Sequence, residues 1–170
     1  MNAGQSAKNA PMLSVSWTHN ATLIGHVALG ALLGGIIGAE RDIRGHPAGF
    51  RTFGLVALGS AALTTLSLDA FPGSTDRLIA GIVTGVGFLG AGLVFRSSNQ
   101  IRNLTTAAAS WLVAALGILA GAGRLTLAIA ATIIALFLLE LRYVPLLKAL
   151  DPSSKRFERF HEPPEADDGS

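Results

Sequence analysis

A chain of 170 residues that is half hydrophobic and only 14% charged falls well below the roughly 25% charge usual in soluble domains. Its formal net charge of +2 gives no reason to expect nucleic acid, and the lack of cysteine removes disulfides, thiolate metal sites and thiol catalysis. Twenty glycines and only two methionines suit close helix packing in lipid better than a soluble core.

Residues 1–20 read as a flexible N-terminal segment, with Trp17 as an interfacial anchor near its end. A membrane span needs about 17–25 mainly apolar residues. The first such run is Thr22–Ala39. Only Lys8 precedes it, whereas Arg41, Arg44 and Arg51 follow, an order that fits a retained first helix rather than a cleaved leader. His26 lies about one turn inside and reads as an interfacial histidine bonded to a carbonyl. Gly30, Gly34 and Gly38 repeat the G-x-x-x-G spacing that lets helix backbones approach closely.

The connector "GAERDIRGHPAGFRTFG" is the most charged stretch near the membrane part. Glu40 and Arg44 stand four apart with the acid first, the better helical orientation. Pro47 and Gly49 turn the chain, and Arg51 opens the next helix where its side chain can snorkel. The second run, Thr52–Leu68, carries Thr64, Thr65 and Ser67. Each can bond back to its own helix, as can Thr84, Thr105, Thr106 and Ser110 further on. Asp69 and Asp76 lie in the following connector, where a hydrated divalent cation could be collected or where they serve as ordinary loop acids.

The third run is Leu78–Phe95. Gly85, Gly87 and Gly90 spell the G-x-G-x-x-G of a dinucleotide loop. That loop needs a preceding strand and a ribose-binding acid about 20 residues later. No Asp or Glu occurs between Asp76 and Glu140, so nucleotide binding is rejected. Two readings remain: Gly81, Gly85, Gly87 and Gly90 are packing surfaces, or the helix unwinds at Gly85–Gly92 to line an ion site. The fourth run is Leu104–Ala120, with Gly117 and Gly121 at packing spacing. A tight hairpin, Gly121-Ala122-Gly123-Arg124, leads to the fifth, Leu125–Leu141.

Apolar residues cover every face of these runs, which excludes a soluble bundle with polar faces. The expected fold is therefore all-α: a polytopic membrane bundle of about five helices over residues 21–142. With five spans, ten of the thirteen lysines and arginines fall on one side. The positive-inside rule then places the N-terminus outside and the C-terminus in the cytoplasm. Residues 143–170 read as a cytoplasmic juxtamembrane segment and a disordered tail. This segment contains Tyr143 as an anchor, Pro145 as a helix breaker and the basic-aromatic run "KRFERF" at 155–160.

Three stretches, "GAERDIRGHPAGFRTFGLVALGSAALTTLS", "GVGFLGAGLVF" and "IRNLTTAAASWLVAALGILAGAG", together resemble the MgtC/SapB family of bacterial membrane proteins. Their order and spacing also match, over roughly residues 22–142. The resemblance implies a small multi-pass inner-membrane protein linked to growth in low magnesium and survival inside host cells. It also implies either magnesium transport, the traditional label, or regulation of other membrane machines such as the F-type ATP synthase. The family's motif residues correspond to Glu40, Arg41, Arg44, Pro47, Gly49, Arg51 and Thr52, then Asp76, Gly85, Gly87, Gly90, Gly92, Thr105 and Thr106. Phe53 stands where a His is common, Gly81 where Gln is frequent, and Asn103 where Gly is usual. The virulence-factor members carry a soluble C-terminal domain, where this chain has a short tail.

The functional expectation is a regulator rather than an enzyme, with a cation transporter as the alternative. A transporter would normally place an acid or Lys at the midplane, and no run carries a charge in its middle. The expected docking surface is Glu40, Arg41, Arg44, Arg51, Arg96 and Arg102, with Glu40 bonded to one of these arginines. Expected partners are the lipid bilayer, other membrane proteins and a second copy of the chain. No cofactor is expected, and Asp69 and Asp76 are the only candidate metal residues.

Overall fold

The computed structural model describes residues 17–97 and 100–141. The expectations for the N-terminal segment before Trp17 and for Tyr143, Pro145 and the 155–160 run lie outside the described residues.

Five helices follow the five apolar runs: α1 Trp17–Ile43, α2 Phe50–Ala70, α3 Thr75–Leu93, α4 Leu104–Gly121 and α5 Leu125–Leu141. The first four are long and apolar enough to cross a membrane. The fifth has 17 residues, about 25 Å at 1.5 Å per residue, against a hydrocarbon layer of about 30 Å. The chain divides into two compact units between Ile133 and Ile134, inside α5. The described part of the second unit is the Ile134–Leu141 turns of that helix.

One connection departs from expectation. Between α3 and α4 the chain forms a short antiparallel hairpin, β1 Phe95–Ser97 with β2 Gln100–Arg102. Arg96 faces Ile101 across the ladder, and Phe95 faces Arg102. Asn103 follows with a left-handed backbone, φ 65°, a conformation Asn tolerates better than most residues, and α4 begins directly after it.

Within the first unit α2 is the central helix. It packs most extensively on α1 and α4, and much less on α3. The reason is side-chain size. Gly30, Gly34 and Gly38 turn one face of α1 towards Ala61, Ala57 and Gly49. A Cβ on Gly34 would lie 2.5 Å from that of Ala57, and one on Gly38 2.5 Å from the Gly49 carbonyl oxygen. From the other side Gly117 and Gly121 seat α4 against Ala57, Ser60, Ala61 and Thr64. Two glycine clefts thus clasp one small-residue helix. Phe53, Ile37, Leu116 and Val113 fill the fully buried centre. The third helix joins through Ile82 and Val86, which meet Ala114, Val56 and Ile118.

Candidate functional site

The basic end of the bundle is organised by the turn between α1 and α2. Helix α1 outlasts its apolar run by one turn and carries Glu40 and Arg41 into the bundle, where both are buried. Their side chains close on each other. Arg41 donates from Nε and from Nη2, the latter at 2.6 Å, to the two carboxylate oxygens of Glu40. Arg44 stands one turn further, its Nε 3.8 Å from the same carboxylate. A bidentate pair of this kind is directional and stronger than a neutral hydrogen bond. Among the described residues, the closest partner of Glu40 is therefore its own sequence neighbour.

Gly45 then takes the left-handed conformation, φ 71°, that commonly ends a helix. The amides of Gly45 and His46 donate back to the carbonyls of Asp42 and Arg41, each at 3.0 Å. Asp42 reaches across the turn, and its Oδ2 accepts the Phe50 amide at 2.8 Å. This carboxylate caps α2 in place of Gly49, which makes no side-chain cap. A negative charge there suits the positive end of the helix dipole. The same carboxylate fills the space that a Cβ on Gly49 would need. The turn is thus fixed at both ends, and Glu40, Arg41 and Arg44 converge on it. Arg51 lies on the exposed first turn of α2, apart from them. Arg96 and Arg102 belong to the hairpin, and their side chains lie outside the described part.

At the opposite end, Asp69 closes on the first turn of α1, where its Oδ1 is 2.8 Å from His19 Nε2. His26 lies two turns further along the same face of α1, and its ring sits 3.3 Å from the position of a Cβ on Gly123. Asp76 occupies the first turn of α3. Among the described residues no group of three or more His, Asp or Glu side chains could hold a metal ion.

Sequence reasoning missed Asp42 and His19. An acid ahead of a Pro-Ala-Gly turn was a signal for the first. For the second the signal was the seven-residue spacing of His19 and His26.

The third helix answers the question left open about its glycines and corrects one expectation. It is continuous from Thr75 to Leu93 through all five of its glycines, so the backbone is not unwound at Gly85–Gly92. Gly81, Gly85 and Gly87, expected to pack, meet nothing within 4 Å, and Gly90 makes only ordinary contact with Ala107. The physical reason is angular. Leu78, Ile82 and Val86, four apart, turn inwards, and Gly81 and Gly85 beside them line an open groove between α2 and α3 instead of a close contact.

The hydroxyls divide into three groups. Thr84 and Thr132 bond back to their own helices, each at 2.8 Å. Thr65 crosses instead to the Gly121 carbonyl at 3.2 Å, and Ser67 crosses to Thr75 at 3.2 Å. The buried hydroxyls of Thr64 and Thr106 have no partner among the described residues.

Apolar helices exposing large side chains all round, with a buried ion pair on α1 at one end, define a multi-pass membrane helix bundle. The MgtC family model matches residues 27–144, and the chain belongs to that family. It is 49% identical to Protein MgtC of Salmonella typhimurium strain LT2 over 105 residues, which cover 62% of this chain and 46% of that protein. It is 42% identical to Protein MgtC of Brucella abortus strain 2308 over 132 residues, covering 76% of this chain and 54% of the relative. The chain spans about half the length of the curated relatives it matches. No solved structure matches it.

Proposed function

We propose that this protein is a non-enzymatic regulator in the bacterial inner membrane, acting on other membrane machinery when magnesium is scarce. The F-type ATP synthase is the machine to which the family resemblance points. The observation that supports the reading is the fixed charged turn: Glu40 held by Arg41 and approached by Arg44, with α2 capped by Asp42. A surface that recognises another protein gains from such preorganisation, because little side-chain freedom is lost on docking. The positive-inside rule assigns this end to the cytoplasm, where the head of a rotary ATPase also lies.

The cation-transporter alternative rests on unwound backbone in α3 and on Asp69 and Asp76 at the outer mouth; that helix is continuous, and Asp69 is bonded to His19. Arg44→Glu reverses one charge of the turn without removing either member of the buried pair. It is expected to abolish the low-magnesium growth advantage of a host carrying the wild-type gene, at equal protein level in the membrane. Wild-type growth would overturn the docking role. ATP-driven proton pumping in membrane vesicles is expected to fall when the protein is present, and unchanged pumping excludes the ATP synthase as target. Magnesium-dye uptake into liposomes holding the purified protein, lost in Asp76→Asn, would replace regulation with transport.

A further inference from the structure

A groove of about 600 Å³ runs along the outside of the α1–α2 pair, away from the glycine clefts. Its floor and walls are apolar: Ala31 and Leu32 from α1, and Gly54, Leu55 and Leu58 from α2. At its basic-end mouth stands Arg51, the one charged residue of the lining among the described residues. The ring of Phe50 forms a shoulder there by lying over Gly35, its Cε2 2.7 Å from the position of a Cβ on that glycine. Only glycine at position 35 allows that ring to lie so close to α1. From Arg51 to Leu58 the groove runs about 10 Å along α2, at 1.5 Å per residue. That is roughly two thirds of one hydrocarbon leaflet, which is about 15 Å thick.

We infer that this groove is a selective site for an anionic phospholipid, with one acyl chain along Ala31, Gly54 and Leu58 and the phosphate on the Arg51 guanidinium. An apolar wall facing the bilayer is covered by acyl chains whatever their headgroups. The selectivity comes from Arg51. It has no hydrogen-bond or ion-pair partner among the described residues, unlike Arg41 and Arg44 of the preceding turn. Among the described residues no acid lines the groove to compete for it. A guanidinium at the interface end of an apolar slot is complementary to a molecule with one negative charge above a hydrocarbon chain. A partner helix would have to supply its own acid at that depth, and a free phosphate would bring the anion without the chain.

The test is native mass spectrometry of the full chain, purified with equimolar phosphatidylglycerol and phosphatidylethanolamine of identical acyl composition. One basic residue near the surface is worth enough for about fivefold preferential retention of phosphatidylglycerol. Arg51→Gln is expected to abolish the preference, while Arg51→Lys keeps most of it by keeping the charge. Ala31→Phe, which fills the groove, is expected to lower retention of both lipids. Three results overturn the inference: equal retention of the two lipids by the wild type, an unchanged preference in Arg51→Gln, or displacement of phosphatidylglycerol by millimolar inorganic phosphate. So does a dimer that carries no lipid and falls apart in Ala31→Phe, because the occupant is then a second copy.

Discussion

Two adjacent threonines of α2 have opposite standing. Thr65 donates to the Gly121 carbonyl across the α2–α4 contact, whereas the fully buried hydroxyl of Thr64 has no partner among the described residues. A buried hydroxyl without a partner is destabilising, and valine has nearly the same shape. Thr64→Val is therefore expected to stabilise the fold by about 1 kcal/mol, and Thr65→Val to destabilise it by about 1 kcal/mol. Unfolding of both variants in mixed micelles, read by circular dichroism, checks the sign of each. Nothing in the sequence separates the pair, because both are threonines in one apolar run. Their difference lies in which neighbouring carbonyl each can reach. The Glu40–Arg41 pair behaves differently again. Removing one member leaves the other charge buried alone, so Glu40→Gln is expected to cost about 3–5 kcal/mol and appear first as lost folded protein.

At the scale of elements the glycines are sorted by their surroundings rather than their spacing. Gly117 faces the Ala57 backbone and lies 2.8 Å, at the position of its missing Cβ, from the Cβ of Ser60. Gly85 faces open space. Gly117→Ala must push α4 off α2 and is expected to lower the thermal midpoint clearly. Gly85→Ala removes helix-interior flexibility worth about 1 kcal/mol and is expected to leave the midpoint equal or higher. Thermal aggregation assays on the two variants side by side decide this, and a loss at Gly85 would reveal a contact from outside the described chain. The sequence made the existence of all five helices legible, because each apolar run is long and ends at charges or glycine. It also revealed the clefts of α1 and α4, where the glycine repeat is regular. It misjudged α3, since the same spacing describes a face pressed on a neighbour or one that borders an open groove, as Gly81 and Gly85 do between α2 and α3. The Asp42 cap was hidden for a related reason: the bond spans eight residues and depends on how the turn folds back.

For the whole molecule, the ends of the bundle differ in kind. One end holds the Glu40–Arg41–Arg44 turn, and the other holds the His19–Asp69 contact with His26 nearby. The charge asymmetry predicts that an alkaline phosphatase fusion within residues 71–74 is active and one at Gly45 is inactive. The reverse pattern would invert the molecule. Chain order and packing order also disagree: α2 leans on α1 and α4, while α3, made between α2 and α4, leans mainly on α4. Synthesis therefore delivers α3 to the bilayer before the helix it rests on. At about 5–20 residues per second, the roughly 30 residues from the end of α3 to the end of α4 take about two to six seconds. For that interval α3 waits with its glycine face and its Ile82–Val86 face both towards lipid. The young protein thus passes through a stage in which a hairpin of α1 and α2 is already closed and a third helix is still adrift. Quality-control proteases of the membrane would meet it first at α3.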